Sequence, residues 1–112
     1  MPYVVSQDEL PGNPHVAIFQ GHQHGDVNVS FFVVNFPPGG GPQLHEHPYE
    51  EVFLVQEGEA MYTVADATIQ ARGGQIVIVP PGTPHTFINS GGGPLRLVAI
   101  HPNREMTTSF LE

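Results

Sequence analysis

Two histidines separated by one residue, His45-Glu46-His47, are the first chemical signal in this chain of 112 residues. On an extended strand, residues two apart face the same side, so two imidazoles project together about 6–7 Å apart along the backbone and can converge on one ion. Alone the pair is a weak signal, because in a chain with seven histidines it is more often an exposed polar patch. Glu51 adds weight. It shares the odd register of His45 and His47 and stands at the mouth of an apolar segment, Glu51 to Gln56, where a bare carboxylate is costly unless paired or metal-bound. Glu50 faces the other way in that register. His85 is the next candidate, held between the rigid turn Pro80-Pro81-Gly82-Thr83-Pro84 and the strand-like Thr86-Phe87-Ile88. Three neutral imidazoles and one carboxylate suit a divalent transition metal (iron, manganese, nickel, copper or zinc) and are too poor in oxygen for calcium or magnesium. On a six-coordinate ion, four protein ligands leave two positions for substrate or dioxygen.

Further side chains near this set have plainer readings beside them. Tyr49 is the nearby titratable group beyond the four ligands and is the candidate catalytic acid or base; Asn89 is a second polar candidate, and either serves a ligand or its own loop. His22-Gln23-His24, bracketed by Gly21 and Gly25, reads as an exposed turn, and the isolated His15 and His101 read as structure or surface. Phe53, Val55, Met61, Thr63 and Phe87 fall in registers that point inward, where core filling explains them better than pocket lining. Between His45 and Glu59 lie five acids (Glu46, Glu50, Glu51, Glu57, Glu59) and no base, so a cation should displace protons there and bind less well in mild acid. Glu46, Glu57 and Glu59 themselves read as a solvated face.

The elements that must position these groups are short strands. Val27 to Phe36, Glu51 to Gln56, Ala60 to Val64, Gln75 to Val79 and Leu95 to Ile100 alternate or run apolar and are rich in β-branched and aromatic residues. Pro37-Pro38-Gly39-Gly40-Gly41-Pro42, Glu57-Gly58-Glu59, Arg72-Gly73-Gly74, Pro80-Pro81-Gly82 and Gly91-Gly92-Gly93-Pro94 separate them. Only Ser6 to Leu10 suits a helical turn. The expectation is an all-β protein, a sandwich or small barrel, with residues 1–112 as a single domain. No cysteine is present, which excludes thiol nucleophiles and cysteine-ligated metals and fits a cytoplasmic setting. There is no lysine, and the three arginines (Arg72, Arg96, Arg104) stand against eleven acids, a net charge of −8 that disfavours nucleic acid and anionic membranes as partners.

Two longer patterns then stand out. Gly39-x5-His45-x-His47-x3-Glu51-x6-Gly58 and Gly74-x5-Pro80-x-Gly82-x2-His85-x3-Asn89 resemble the two conserved motifs of the cupins, every position filled, with 15 residues between them from Glu59 to Gly73. The resemblance implies a small jelly-roll β-barrel with His45, His47, Glu51 and His85 as metal ligands in its mouth. It also implies turns at Gly58 and Gly74, a loop shaped by Pro80 and Gly82, and a homodimer. Three functions are compatible with it. The first is a non-haem dioxygenase acting on a small organic substrate. The second is an isomerase, cyclase or lyase using the metal as a Lewis acid, and the third is a non-catalytic module holding metal and ligand. Dioxygenase is placed first, because Tyr49 alone is available to move a proton. A transcription regulator is disfavoured, because the whole chain is needed for one barrel.

Overall fold

A computed structural model describes residues 2–111. Eleven strands appear among them: β1 (Gly12–Asn13), β2 (Val16–Gln20), β3 (Ser30–Phe36), β4 (His45–Glu46), β5 (Glu51–Glu57), β6 (Glu59–Val64), β7 (Ala67–Arg72), β8 (Ile76–Val79), β9 (His85–Asn89), β10 (Leu95–His101) and β11 (Ser109–Phe110). They form two antiparallel sheets, six-stranded in the order β1-β2-β3-β10-β5-β8 and five-stranded in the order β11-β4-β9-β6-β7. The sheets face each other as a jelly-roll whose edges do not fully close. Helix is confined to two single 3-10 turns, Gln7–Glu9 within the expected Ser6 to Leu10 and Gly21–Gln23 at the second His-x-His.

Inward rows are set by strand parity. On β10, Leu95, Leu97, Ala99 and His101 are buried, and they face Phe36, Val34, Phe32 and Ser30 of β3. Glu51, Phe53 and Val55 on β5, Val77 and Val79 on β8, and His85, Phe87 and Asn89 on β9 complete the inner faces. Each fully buried leucine, valine or phenylalanine contributes roughly 1.5–3 kcal/mol by leaving water, so the core rests chiefly on these rows. The parity expected for β6 is reversed. Met61 is partly buried and Thr63 exposed, while Ala60, Tyr62 and Val64 point inward. The reason is the tight turn at Gly58, which carries the chain from the six-stranded to the five-stranded sheet and exchanges odd for even between β5 and β6; a one-residue change of parity moves every side chain to the other face. Gly58 takes φ +91°, and a Cβ there would stand 2.3 Å from the Pro94 carbonyl oxygen.

The strand expected from Val27 starts three residues later, at Ser30. Residues 25–29 are spent on the return from the Gly21 turn, where Asp26 has φ 58° and Val27 N–H bonds the Gly21 carbonyl at 3.2 Å. β2 and β7 carry less clean alternation than the strands read from the sequence, and both lie at or beside a sheet edge. No helix of the described residues is long and apolar enough to cross a membrane.

Candidate metal centre

His45 stands on β4 directly opposite His85 at the start of β9, and His47 follows one residue past β4. Glu51 opens β5 in the same inward row as Phe53. The loop that delivers His85 is tied to the His-x-His segment through Gly82, whose N–H donates to the His47 carbonyl at 2.7 Å; Gly82 adopts φ 65°, which favours glycine. All four side chains are buried, and a ligand atom from each lies within 4.8 Å of the others. The structure thus gathers His45, His47, Glu51 and His85 into one group that suits a metal ion.

Hydrogen bonding of the imidazoles fixes which nitrogen faces inward. Each Nδ1–H donates to a backbone carbonyl: His45 to Gln43 at 2.6 Å, His47 to Thr107 at 2.9 Å and His85 to Thr83 at 2.8 Å. In the neutral ring each Nε2 is then a lone pair aimed at the shared space. Yet Glu51 Oε1 lies 3.0 Å from His47 Nε2 and 2.9 Å from His85 Nε2. Lone pairs that close to an anionic oxygen repel unless a proton or a cation stands between them. The His47 contact is off the line of a hydrogen bond, leaving that buried nitrogen without an aligned partner. Donor types, burial and orientation therefore all fit a divalent transition ion.

Electrostatics divide the histidines. Burial away from water lowers the His45 pKa below 6.5, with the neighbouring imidazoles adding to the effect. Burial pulls His47 down as well, but the Glu51 carboxylate and the Thr107 carbonyl outweigh it and hold that ring above 6.5. Burial would push the Glu51 carboxyl up; contacts from His101, His47 and His85 reverse this and hold it well below the usual carboxylate range. Glu50, Glu57 and Glu59 face solvent and Glu46 is half-buried, so the local acid surplus lies largely outside the site.

A cavity of about 140 Å³ opens onto His45, His47 and Glu51. Phe32, Phe36, Phe53, Phe87 and Phe110 dominate its walls, and Thr108 adds one hydroxyl. Phe53 and Phe87 therefore serve both core and pocket. Tyr49 does not line it: burial raises its pKa, its ring stacks on His47 at 5.3 Å, and its hydroxyl is engaged by His101 and by Thr107 N–H. Asn89 serves its own loop, donating to the Phe36 and Gly93 carbonyls and accepting from Gly91 N–H. His15 is exposed, and His24 stacks on Phe19, away from the site. None of the arginines reaches the cavity. Arg96 meets Glu57 on the surface, Arg104 meets Asp26, and Arg72 is exposed on β7. Sequence reasoning missed His101. It is fully buried, with Nε2 3.1 Å from Glu51 Oε2. The signal is present, since His101 continues the odd inward row Leu95, Leu97, Ala99, but the strand read from the sequence stops at Ile100, one residue short of the Leu95–His101 observed.

An uncharacterised protein of Methanocaldococcus jannaschii is 32% identical over 101 residues, spanning 88% of this chain and 77% of its own. The transcriptional regulator PuuR of Escherichia coli is 29% identical over 104 residues, 88% of this chain but only 55% of the regulator. Among solved structures, oxalate oxidase in complex with glycolate superposes with a TM-score of 0.80 at 22% identity, covering 96% of this chain and 63% of that one. That likeness shows the shared fold. Residues 32–101, more than half of the sequence, match the Cupin domain family and hold the whole buried ligand group, so the chain belongs to the cupins.

Proposed function

We propose that this chain is a metal-dependent enzyme for a small, apolar organic substrate, with non-haem dioxygenase chemistry as the leading assignment. His45, His47, Glu51 and His85 are the proposed ligands of one divalent transition metal. The observation that carries the reading is a buried three-imidazole, one-carboxylate set opening on an apolar cavity. A bound ion of this kind supplies Lewis acidity toward an enolate or phenolate oxygen and, if redox-active, electron exchange with dioxygen.

The walls narrow the substrate. A cavity near 140 Å³ is about the size of one that holds benzene. Its phenylalanines exclude water, and Thr108 can orient one polar group. Oxalate, the substrate named by the matched oxidase, is a small dianion, and no cationic side chain lines this cavity to meet a second carboxylate. A neutral or singly charged ring or β-dicarbonyl fits better. The lining holds no titratable side chain beyond the ligands, which weighs against an isomerase or lyase, since those need a group to move a proton. Metal analysis of protein purified anaerobically without added nickel, followed by oxygen uptake with catechols and β-diketones, tests the assignment. A zinc-filled, oxygen-inert protein would sink it. The likeness to a regulator favours a second reading, in which the site holds a ligand without turnover; saturable binding with no product is its signature.

We also propose a homodimer in the cytoplasm, without nucleic-acid or membrane partners. The outer face of the six-stranded sheet presents Val33, Val98, Val52, Leu54, Ile76 and Ile78 in neighbouring strands, with the two isoleucines 62% and 66% exposed. Among the described residues the acid on that face is Glu57 at its rim, paired with Arg96 at 3.5 Å, so a second copy can meet the apolar patch with little like-charge repulsion. Ile78→Asp should shift the mass in solution to that of a monomer; an unchanged mass refutes this face.

A further inference from the structure

Glu51 is held from two sides, and one of them lies outside the ligand group. Oε1 faces His47 and His85, while Oε2 lies 3.1 Å from Nε2 of His101. His101 is fully buried and does not line the cavity. Glu51 and His101 begin and end neighbouring strands, one step beyond the Val52–Ile100 pair. Phe32 meets the His101 ring edge-on at 5.3 Å and fixes its plane.

The proton on His101 can be placed by chemistry. An anionic oxygen 3.1 Å away requires Nε2 to carry hydrogen, although the contact is off the line of an ideal hydrogen bond. In a neutral ring Nδ1 is then an acceptor. Tyr49 Oη lies 2.6 Å from Nδ1 and already accepts Thr107 N–H at 3.1 Å, so its own hydrogen is free to go to His101. The order is Thr107 N–H to Tyr49, Tyr49 O–H to His101, and His101 N–H toward Glu51. Thr107 also takes the Nδ1–H of His47 through its carbonyl, so one residue of the segment before β11 braces a ligand and the strut behind another. Tyr49 occupies an unspecified position of the first motif, and His101 lies beyond the second.

We propose that His101, oriented by Tyr49, is a positioning residue of the metal centre: it occupies Glu51 Oε2, so that the carboxylate meets the ion through Oε1 alone and a further coordination position stays free. This rests on the metal-centre reading above. Removing the strut would leave both oxygens available to the ion and the carboxylate free to rotate.

Cobalt(II) is the probe, with affinity read by chelator competition and geometry by its visible absorption. His101→Leu, which keeps bulk and removes the donor, should weaken binding by roughly 10–100-fold and change the spectrum. His101→Gln, whose amide N–H can reach the place of Nε2, should stay within several-fold of the parent and keep its spectrum. Tyr49→Phe should move in the direction of the leucine variant, by less. Circular dichroism and thermal midpoints of the metal-free proteins report folding. Parent-like affinity and spectrum in His101→Leu overturn the proposal, as does a glutamine variant that falls as far as leucine while both stay folded. If His101→Leu does not fold, Tyr49→Phe decides, and an unchanged spectrum and affinity overturn it. A parent protein that binds no cobalt takes the metal centre and this inference down together, whereas cobalt bound with the variants unchanged removes only the inference.

Discussion

Lowering the pH should weaken metal binding, because His47 must give up a proton to become a ligand. Glu51 is held well below the usual carboxylate range, so it stays ionised through mild acid and contributes no proton. His45 is held below 6.5 by burial, so near neutrality it is already in its ligating form. His47 sits above 6.5, because Glu51 and Thr107 outweigh its burial, and its proton must leave before the ion can bind. The sign follows: affinity falls as the pH drops through the His47 pKa, tenfold per pH unit for that proton alone, and more steeply once His45 also takes one up. With His47 above 6.5, moving from pH 7.5 to 5.5 costs at least about tenfold in affinity, or about 1.4 kcal/mol. Isothermal titration with zinc in two buffers of different ionisation enthalpy measures both quantities. Protons should be released as the ion binds between pH 6 and 6.5, fewer of them as the pH is raised. Affinity that is equal at pH 7.5 and 5.5 in protein still folded at both, with no buffer dependence, would refute the assignment of His47 as the proton-bearing ligand.

Two further outcomes test the frame around the site. Gly58→Ala should destabilise the fold by more than about 1 kcal/mol in urea denaturation, because φ is +91° and the new Cβ would meet the Pro94 carbonyl at 2.3 Å. Arg96→Gln should change stability by less than about 1 kcal/mol, since its partner Glu57 lies 3.5 Å away and both are half-exposed; any turnover or ligand binding should be unaffected, and a lost activity would mean that the substrate reaches beyond the apolar cavity.

The ligand residues were legible because chemistry and spacing coincide there. His45 and His47 share a face because they lie two apart on extended backbone, whereas Glu51 opens β5 in the opposite sheet and His85 opens β9, so the spacing of the two motifs and not a common register is what joins all four. Registers away from the motifs were harder to read. Odd parity placed Phe53 and Val55 inward correctly and Met61 and Thr63 wrongly, because the turn at Gly58 reverses parity and nothing in a period-two pattern records how many residues a turn consumes. The same one-residue sensitivity hid His101. Ending the last long strand at Ile100 makes that histidine a lone polar residue in a loop; extending it by one continues the inward row of Leu95, Leu97 and Ala99 to the Glu51 carboxylate. A buried imidazole at the end of an apolar row costs free energy unless it has partners. Finding one there is a reason to look for the anion it faces and the hydroxyl that orients it, which here are Glu51 and Tyr49. Sequence alone points to Tyr49 as the nearby titratable side chain beyond the four ligands, a reading that rests on its closeness to His47 along the chain. Its hydroxyl is committed to His101 and Thr107 and its ring stacks on His47, so it acts on the site through those neighbours and not as a free acid or base.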